Sequence, residues 1–356
     1  MSLEGHAEVM KLARLVGAEP ERFDYLEQLS PVDVRALRER ATVVLYEGDR
    51  RLGRVALAAR IPPVPMTAWI AQHLFGPLLC ARVAGLLDIG RAVGIAKRLP
   101  PVFIADLAME LDPRRARDII FALPPELIGK VADVLTRRGE VIVMGRFVGH
   151  MPDASLRAAF EVIDDESLLR ISYFVEEKDQ LDHVVGLLDP ERLSGAIRSA
   201  SEADLWPQAL DLLTRVSPEQ AGWLADLAAD EEDYVLDGMI EAAQRDGLWH
   251  VVLPVTQHMS EEGRRRFTGL ASLQVPEVLE TVVDAAVANG LWPDLLPLAE
   301  LLPPEAREVV LARAPAADAP DGERVKEAED GPSDEASEPP SGAVPDAAPA
   351  GEAPAS

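Results

Sequence analysis

From Pro62 onward, apolar runs end at a recurring corner where a large aliphatic residue is followed by proline or an acid. The corners are Leu99-Pro100-Pro101, Leu111-Asp112-Pro113, Leu123-Pro124-Pro125, Met151-Pro152-Asp153, Ile163-Asp164-Asp165 and Leu188-Asp189-Pro190, most of them 12 or 24 residues apart. Proline costs no hydrogen bond in a first helical turn, whose N–H groups lack intrahelical partners. Negative charge there meets the positive end of the helix dipole. The pattern therefore predicts short helices joined by tight turns. A further start lies at Ser30-Pro31-Val32-Asp33, with Ser30 as N-cap and a helix expected to about Tyr46.

Beyond Asp204 the same grammar runs inside a longer unit. Leu205-Trp206, Leu248-Trp249 and Leu291-Trp292 recur at an interval of 43 residues, and Leu210, Leu253 and Leu296 fall at matching places. Ser217-Pro218, Ser260-Glu261 and Pro303-Pro304 each begin twelve residues beyond the leucine of the pair. Each unit should hold three helices, in the first case over 206–216, 218–229 and 232–246, closed by a cap at Gly247. A repeat of this length without strand alternation is the signature of an α-solenoid, whose units bury their faces on one another. The expected fold is all-α, with armadillo- or HEAT-like repeats in the C-terminal half. The expected organisation is a helical region over 1–60, shorter superhelical repeats over 61–203, the Leu-Trp repeats over 204–313 and a tail over 314–356.

Composition sharpens this picture. Aromatic residues make up 5 % of the chain, which favours helix packed on helix. The tail carries eleven acids, two bases, eight prolines and no aromatic side chain, too little apolar surface to offset chain entropy, so it is expected to be disordered. The rest of the chain still holds −17 of the net −26, which argues against nucleic-acid binding because phosphate recognition needs clustered Lys and Arg. A lone Cys80 precludes an internal disulfide, fits a reducing cytoplasm and reads as a small buried apolar side chain. The amino terminus lacks a basic start followed by an apolar core, so no secretory signal is expected. The stretch 64–81 is the most apolar but is broken by Gln72, His73 and Gly76-Pro77, and predicts a buried helix pair, not a membrane span.

The segments Leu99-Pro100-Pro101 to Pro113 and Leu123-Pro124-Pro125 to Leu135 resemble the amino-terminal cytosolic domain of MgtE magnesium transporters, a likeness that covers about residues 80–200. It implies a right-handed superhelix of short helices, related to the middle domain of the flagellar switch protein FliG. In that family the domain contributes acids to regulatory magnesium binding, although no individual ligand carries over to a position here. The chain departs from the family in having no recognisable transport segment or nucleotide-binding pair, so transport is not implied. As a whole, with its Leu-Trp repeats, it also resembles a type of bacterial helical-repeat protein.

The candidate functional residues are of two kinds. Trp206, Trp249 and Trp292 project equivalently from successive units, and would either line a concave face as anchors for a protein partner or fill the seams between units. In Met144-Gly145-Arg146-Phe147-Val148-Gly149-His150, two glycines flank Arg146 and Phe147. This segment would either present Arg146, Phe147 and His150 to a partner or mark a close helix crossing. It lacks the Gly-Lys-Ser or Gly-Lys-Thr ending of a phosphate-binding loop. Arg35, Arg38, Arg40, Arg50, Arg51, Arg54 and Arg60 read as a solvated face paired with Asp33, Glu39, Glu47 and Asp49, or as a dock for an acidic partner or the chain's own tail.

Acids at Asp164-Asp165-Glu166, Glu176-Glu177 and Glu231-Glu232-Asp233 would suit Mg2+ if they converged, and otherwise cap and solvate helices. Six scattered histidines offer no zinc spacing, and no nucleophile elbow is present. The expected function is therefore a non-enzymatic, cytoplasmic scaffold or adaptor for a protein partner, without a resident cofactor. A soluble magnesium-responsive regulator is the alternative.

Overall fold

Proline and acid corners start helices where the pattern places them. Pro101, Pro125, Asp153, Asp165 and Pro190 open α7 (Pro101–Glu110), α9 (Pro125–Arg137), α11 (Asp153–Phe160), α12 (Asp165–Tyr173) and α14 (Pro190–Glu202). Pro113 is the exception. Asp112 accepts the Arg114 N–H at 3.1 Å, which holds a turn there, and α8 (Arg117–Phe121) begins only afterwards. The computed structural model describes residues 3–46, 50–176 and 180–314. They form 22 α-helices, a 3-10 segment over Pro20–Gln28 and a π turn over Ala71–Phe75, with no strand among the described residues. The expected disorder of the tail lies outside the described residues.

The Leu-Trp units follow one plan. The first contains α15 (Trp206–Leu213), α16 (Pro218–Ala229) and α17 (Asp233–Asp246), so only its first helix stops short of the expected end. The second contains α18 (Trp249–Thr256), α19 (Glu261–Gly269) and α20 (Pro276–Asn289), and α21 (Trp292–Leu301) and α22 (Pro304–Leu311) follow. Ser217 and Ser260 cap their helices, accepting from Gln220 N–H at 3.4 Å and Gly263 N–H at 3.0 Å. At each Leu-Trp pair the chain turns through a left-handed residue, with φ of 53° at Asp204 and 68° at both Gly247 and Gly290. The following leucine N–H then reaches back to the carbonyl of Ala200, Ala243 or Ala286 at 2.8–2.9 Å, satisfying an orphan acceptor at the helix end.

From α5 (Gly76–Ala84) onward, many helices pack on those two or three further along: α5 on α7, α7 on α9, α9 on α11, α14 on α16 and α17, α16 on α18 and α19, and α18 on α20 and α21. Two large apolar clusters lie along these helices, one between Ala68 and Val184 and one between Leu169 and Val310, and the described residues belong to one compact body. The remaining helices are α1 (Leu3–Val16), α2 (Pro31–Tyr46), α3 (Arg50–Ala58), α4 (Val64–Ile70), α6 (Ile89–Ala96), α10 (Val141–Val148) and α13 (Leu181–Val185). Among the described residues no helix is long and apolar enough to cross a membrane.

The α1/α2 pair is joined to the body through buried charge. Glu8, 1 % exposed, meets Lys11 at 3.1 Å, Arg38 at 3.0 Å and Arg35 at 3.2 Å. Arg38 continues to Glu176 at 2.9 Å, and Glu176 also meets Arg114 at 3.0 Å. Burial works to raise the Glu8 pKa, but Lys11, Arg38 and Arg35 outweigh it and hold the carboxyl below its usual range. Arg35 and Arg38 thus stand between helices and do not form the solvated face expected of them. Their partners lie far away in sequence, where local charge pairing gives no sign of them. The Tyr173 hydroxyl donates to the Leu3 carbonyl, and Arg215 lies 5.8 Å over the Tyr173 ring, so α1 is fastened at a second point.

Candidate interaction surface

The Gly76-Pro77 pair breaks what would otherwise be one helix from α4 into α5. Gly76 has φ 73° and ψ 172°, a conformation open essentially only to glycine, and Pro77 cannot supply a continuing N–H. Just before the break the chain widens into the π turn Ala71–Phe75, a device frequent at functional sites. Arg91 fixes the preceding corner, donating to the carbonyls of Ala59 at 2.8 Å and of Pro62, and to the Thr67 hydroxyl at 3.1 Å.

Large apolar side chains on either side of these constraints are exposed. Ile61 is 85 %, Leu74 67 % and Trp69 55 % exposed, with Leu57, Met66 and Leu78 more than or nearly half exposed beside them. Met66, Trp69 and His73 share a helical face, and His73 stacks on Trp69 with ring centroids 4.9 Å apart while its Nδ1 lies 2.9 Å from the Trp69 carbonyl. An exposed indole held in one pose loses little entropy on meeting a partner. The expectation of a buried pair over 64–81 is therefore corrected. Along residues 64–81 only Thr67, Ala68, Ala71 and Ala81 are buried, while Met66, Trp69, Leu74, Phe75 and Leu78 are exposed.

Charge marks the same segment. Residues 50–87 contain five arginines and no acid, in a chain of net charge −26. Arg54, Arg60 and Arg82 are exposed, and none of them forms an ion pair among the described residues. The run without acids was legible in the sequence. The arginines drew attention instead toward pairing with Asp33, Glu39, Glu47 and Asp49, of which Glu47 and Asp49 lie outside the described residues.

Behind this face lies a cavity of about 190 Å3, walled by Ala71, Phe75, Leu79 and Cys80 on one side and reaching Met144 and Ile171 on the other. Phe75 is 43 % exposed, so the wall comes to the surface at the π turn. Cys80 is half-buried, with its thiol 3.6 Å from the Ala71 carbonyl, and burial pushes its pKa up to about 11, which leaves it an unreactive thiol at neutral pH. A smaller cavity of about 110 Å3 lies among Leu169, Trp206, Met239 and Phe267.

The residues singled out by sequence lie elsewhere. Trp206, Trp249 and Trp292 are all buried, Trp249 to 1 % exposure, in the core shared by successive units. The Trp249 indole N–H donates to Gln244 at 3.1 Å. They fill the core between helices and do not form an exposed ladder. Arg146 points at Glu176 across 4.0 Å, Phe147 lines the large cavity and His150 is buried. That segment is a close helix crossing: a Cβ added at Gly145 would come within 2.7–2.9 Å of Phe174 and the Ile171 carbonyl. None of the six presents an open surface to a partner.

The acid clusters are dispersed among structural partners. Asp164 caps α12, accepting from the Ser167 N–H and hydroxyl at 2.8 Å each. Burial works to raise its pKa, but these bonds hold it below the usual range. Asp165 meets Arg192 at 2.9 Å, Glu166 meets Arg170 at 2.8 Å and Glu231 meets Arg198 at 3.0 Å, while Glu177 lies outside the described residues. Among the described residues no three His, Cys, Asp or Glu side chains gather as metal ligands would. Comparison with family models, curated proteins and solved structures finds no match to this chain.

Proposed function

We propose that the chain is a cytoplasmic α-solenoid scaffold that uses the outer face of α3, α4 and α5 to dock an amphipathic, acid-flanked segment of a protein partner. The observation that carries this reading is the coincidence of a run of exposed apolar side chains, Leu57, Ile61, Met66, Trp69 and Leu74, with the stretch that holds arginines and no acid. A helix laid on such a face buries its own apolar stripe against Trp69 and Leu74 and sets its acids against Arg54, Arg60 and Arg82. An anionic bilayer suits the face less well. Beyond a Debye length of about 8 Å a large surface feels the acidic body, whereas a short segment feels chiefly the local arginines. The packing ladder supports the solenoid, and the paired state of the acids weighs against the magnesium-responsive alternative.

The test is photo-crosslinking in the native host, with the crosslinker placed at Leu74 or, as a control, at the half-exposed Val287 of α20. The expected result is one recurrent peptide at Leu74, absent at Val287, that carries acids beside an apolar stripe and binds the purified protein less tightly as salt rises. Crosslinks only to residues 315–356 of the same chain, or no recurrent peptide, would overturn the reading.

A further inference from the structure

We propose that the 190 Å3 cavity behind the π turn is a binding site for the hydrocarbon chain of a fatty-acid-like carboxylate, with its head group held at the surface by Arg54 and Arg82. The wall is apolar apart from the Cys80 thiol and the Thr67 hydroxyl, and Thr67 is already engaged by the Pro62 and Pro63 carbonyls and Arg91. Water needs two to four polar partners to occupy an interior site, so this space is dry or filled by hydrocarbon. On the measure by which a cavity of ~150 Å3 admits benzene, it accommodates about eight carbon atoms. The room comes from alanines, among them Ala71, Ala108 and Ala132, at wall positions where a leucine would close it.

Its outlet supplies the head-group chemistry. The wall surfaces at Phe75, and two helices that contribute to it carry exposed arginines next to wall residues: Arg54 precedes Val55, and Arg82 precedes Val83. Both arginines are exposed and form no ion pair among the described residues, which leaves their guanidinium groups to meet an anion. A single dissolved amphiphile suits this better than a bilayer does, for the same reason of net charge that applies to the docking face. The inference rests on the cavity and stands apart from the protein-docking reading.

The experiment is calorimetric titration of the full chain with decanoate below its micellar concentration, beside decyltrimethylammonium and vesicles of phosphatidylglycerol. Expected are saturable 1:1 binding of decanoate with a negative heat-capacity change, at least tenfold weaker binding of the cationic amphiphile, and weaker binding again to vesicles. Ala108→Leu should abolish decanoate binding, with Ala132→Leu as the second filler should the first not fold, and Arg54→Gln with Arg82→Gln should weaken it about tenfold. The pair Trp69→Ser and Leu74→Ser should leave it unchanged, which separates this site from the docking face. The proposal fails if decanoate does not saturate, if only vesicles bind, or if a folded filler gains stability and still binds.

Discussion

The stretch from α3 to α12 and the stretch from α14 to α22 are made of similar short helices, yet they place their apolar side chains in opposite ways. In the second, each unit repeats the same left-handed corner and the same tryptophan, and no large apolar side chain is more than 49 % exposed. In the first, exposure reaches 85 % at Ile61 and a cavity of about 190 Å3 stays open. Exact repetition lets neighbouring faces be matched once and reused. The irregular stretch is released from that match, and it is there that space and adhesive surface are found.

The sharpest way to break this contrast is at a seam. Trp249→Ala should destabilise by roughly 3–5 kcal/mol in urea unfolding, the cost of emptying a fully buried indole site. A loss below about 1 kcal/mol would mean that the seams do not hold the units together. Glu8→Gln comes next, at about 3 kcal/mol, because it leaves Lys11, Arg38 and Arg35 around a neutral partner. Its pH signature has a definite sign. A carboxyl held below its ordinary value of 4.5 contributes stability that is fully present above that value and fades as pH falls through the lower folded one. The parent should therefore lose stability over that acid window more steeply than the variant, and identical acid limbs would exclude Glu8 as the source.

Smaller effects probe the corners and the face. Gly247→Ala should cost about 1–2 kcal/mol because alanine pays for the left-handed conformation, whereas Asp204→Gly, at the equivalent corner, should gain up to about 1 kcal/mol. Equal changes at the two corners would show that they are not equivalent. Smallest of all, Trp69→Ser with Leu74→Ser should stay within about 0.5 kcal/mol of the parent, since neither side chain is buried. A large loss would show that the face is part of the core.

Much of the framework was legible in the residues. The Pro and acid corners predict α7, α9, α11, α12, α14 and α16 at their true starts, and the 43-residue interval predicts the three helices of the first two units and the Gly247 cap. These are local properties: a missing N–H, a capping hydroxyl and a positive φ act within one turn of the chain. The candidate site was not legible in the same way. Tryptophan spacing marks equivalence between units but says nothing about which side of the helix the neighbouring unit covers. Arg146, Phe147 and His150 were conspicuous because Gly145 is needed for contact with Phe174, a packing requirement that has the same appearance as a binding loop.

By itself, then, the sequence determined the helical class, the positions of most turns and the recurring left-handed corners of the C-terminal half, because each depends on backbone chemistry over a few residues. The tertiary structure alone decided that Trp249 is enclosed and Trp69 is not, that Arg38 reaches Glu176, and that alanines from separate helices leave a common space. Burial, ion pairing and empty volume are properties of elements brought together from distant parts of the chain. They come into being only when the helices pack.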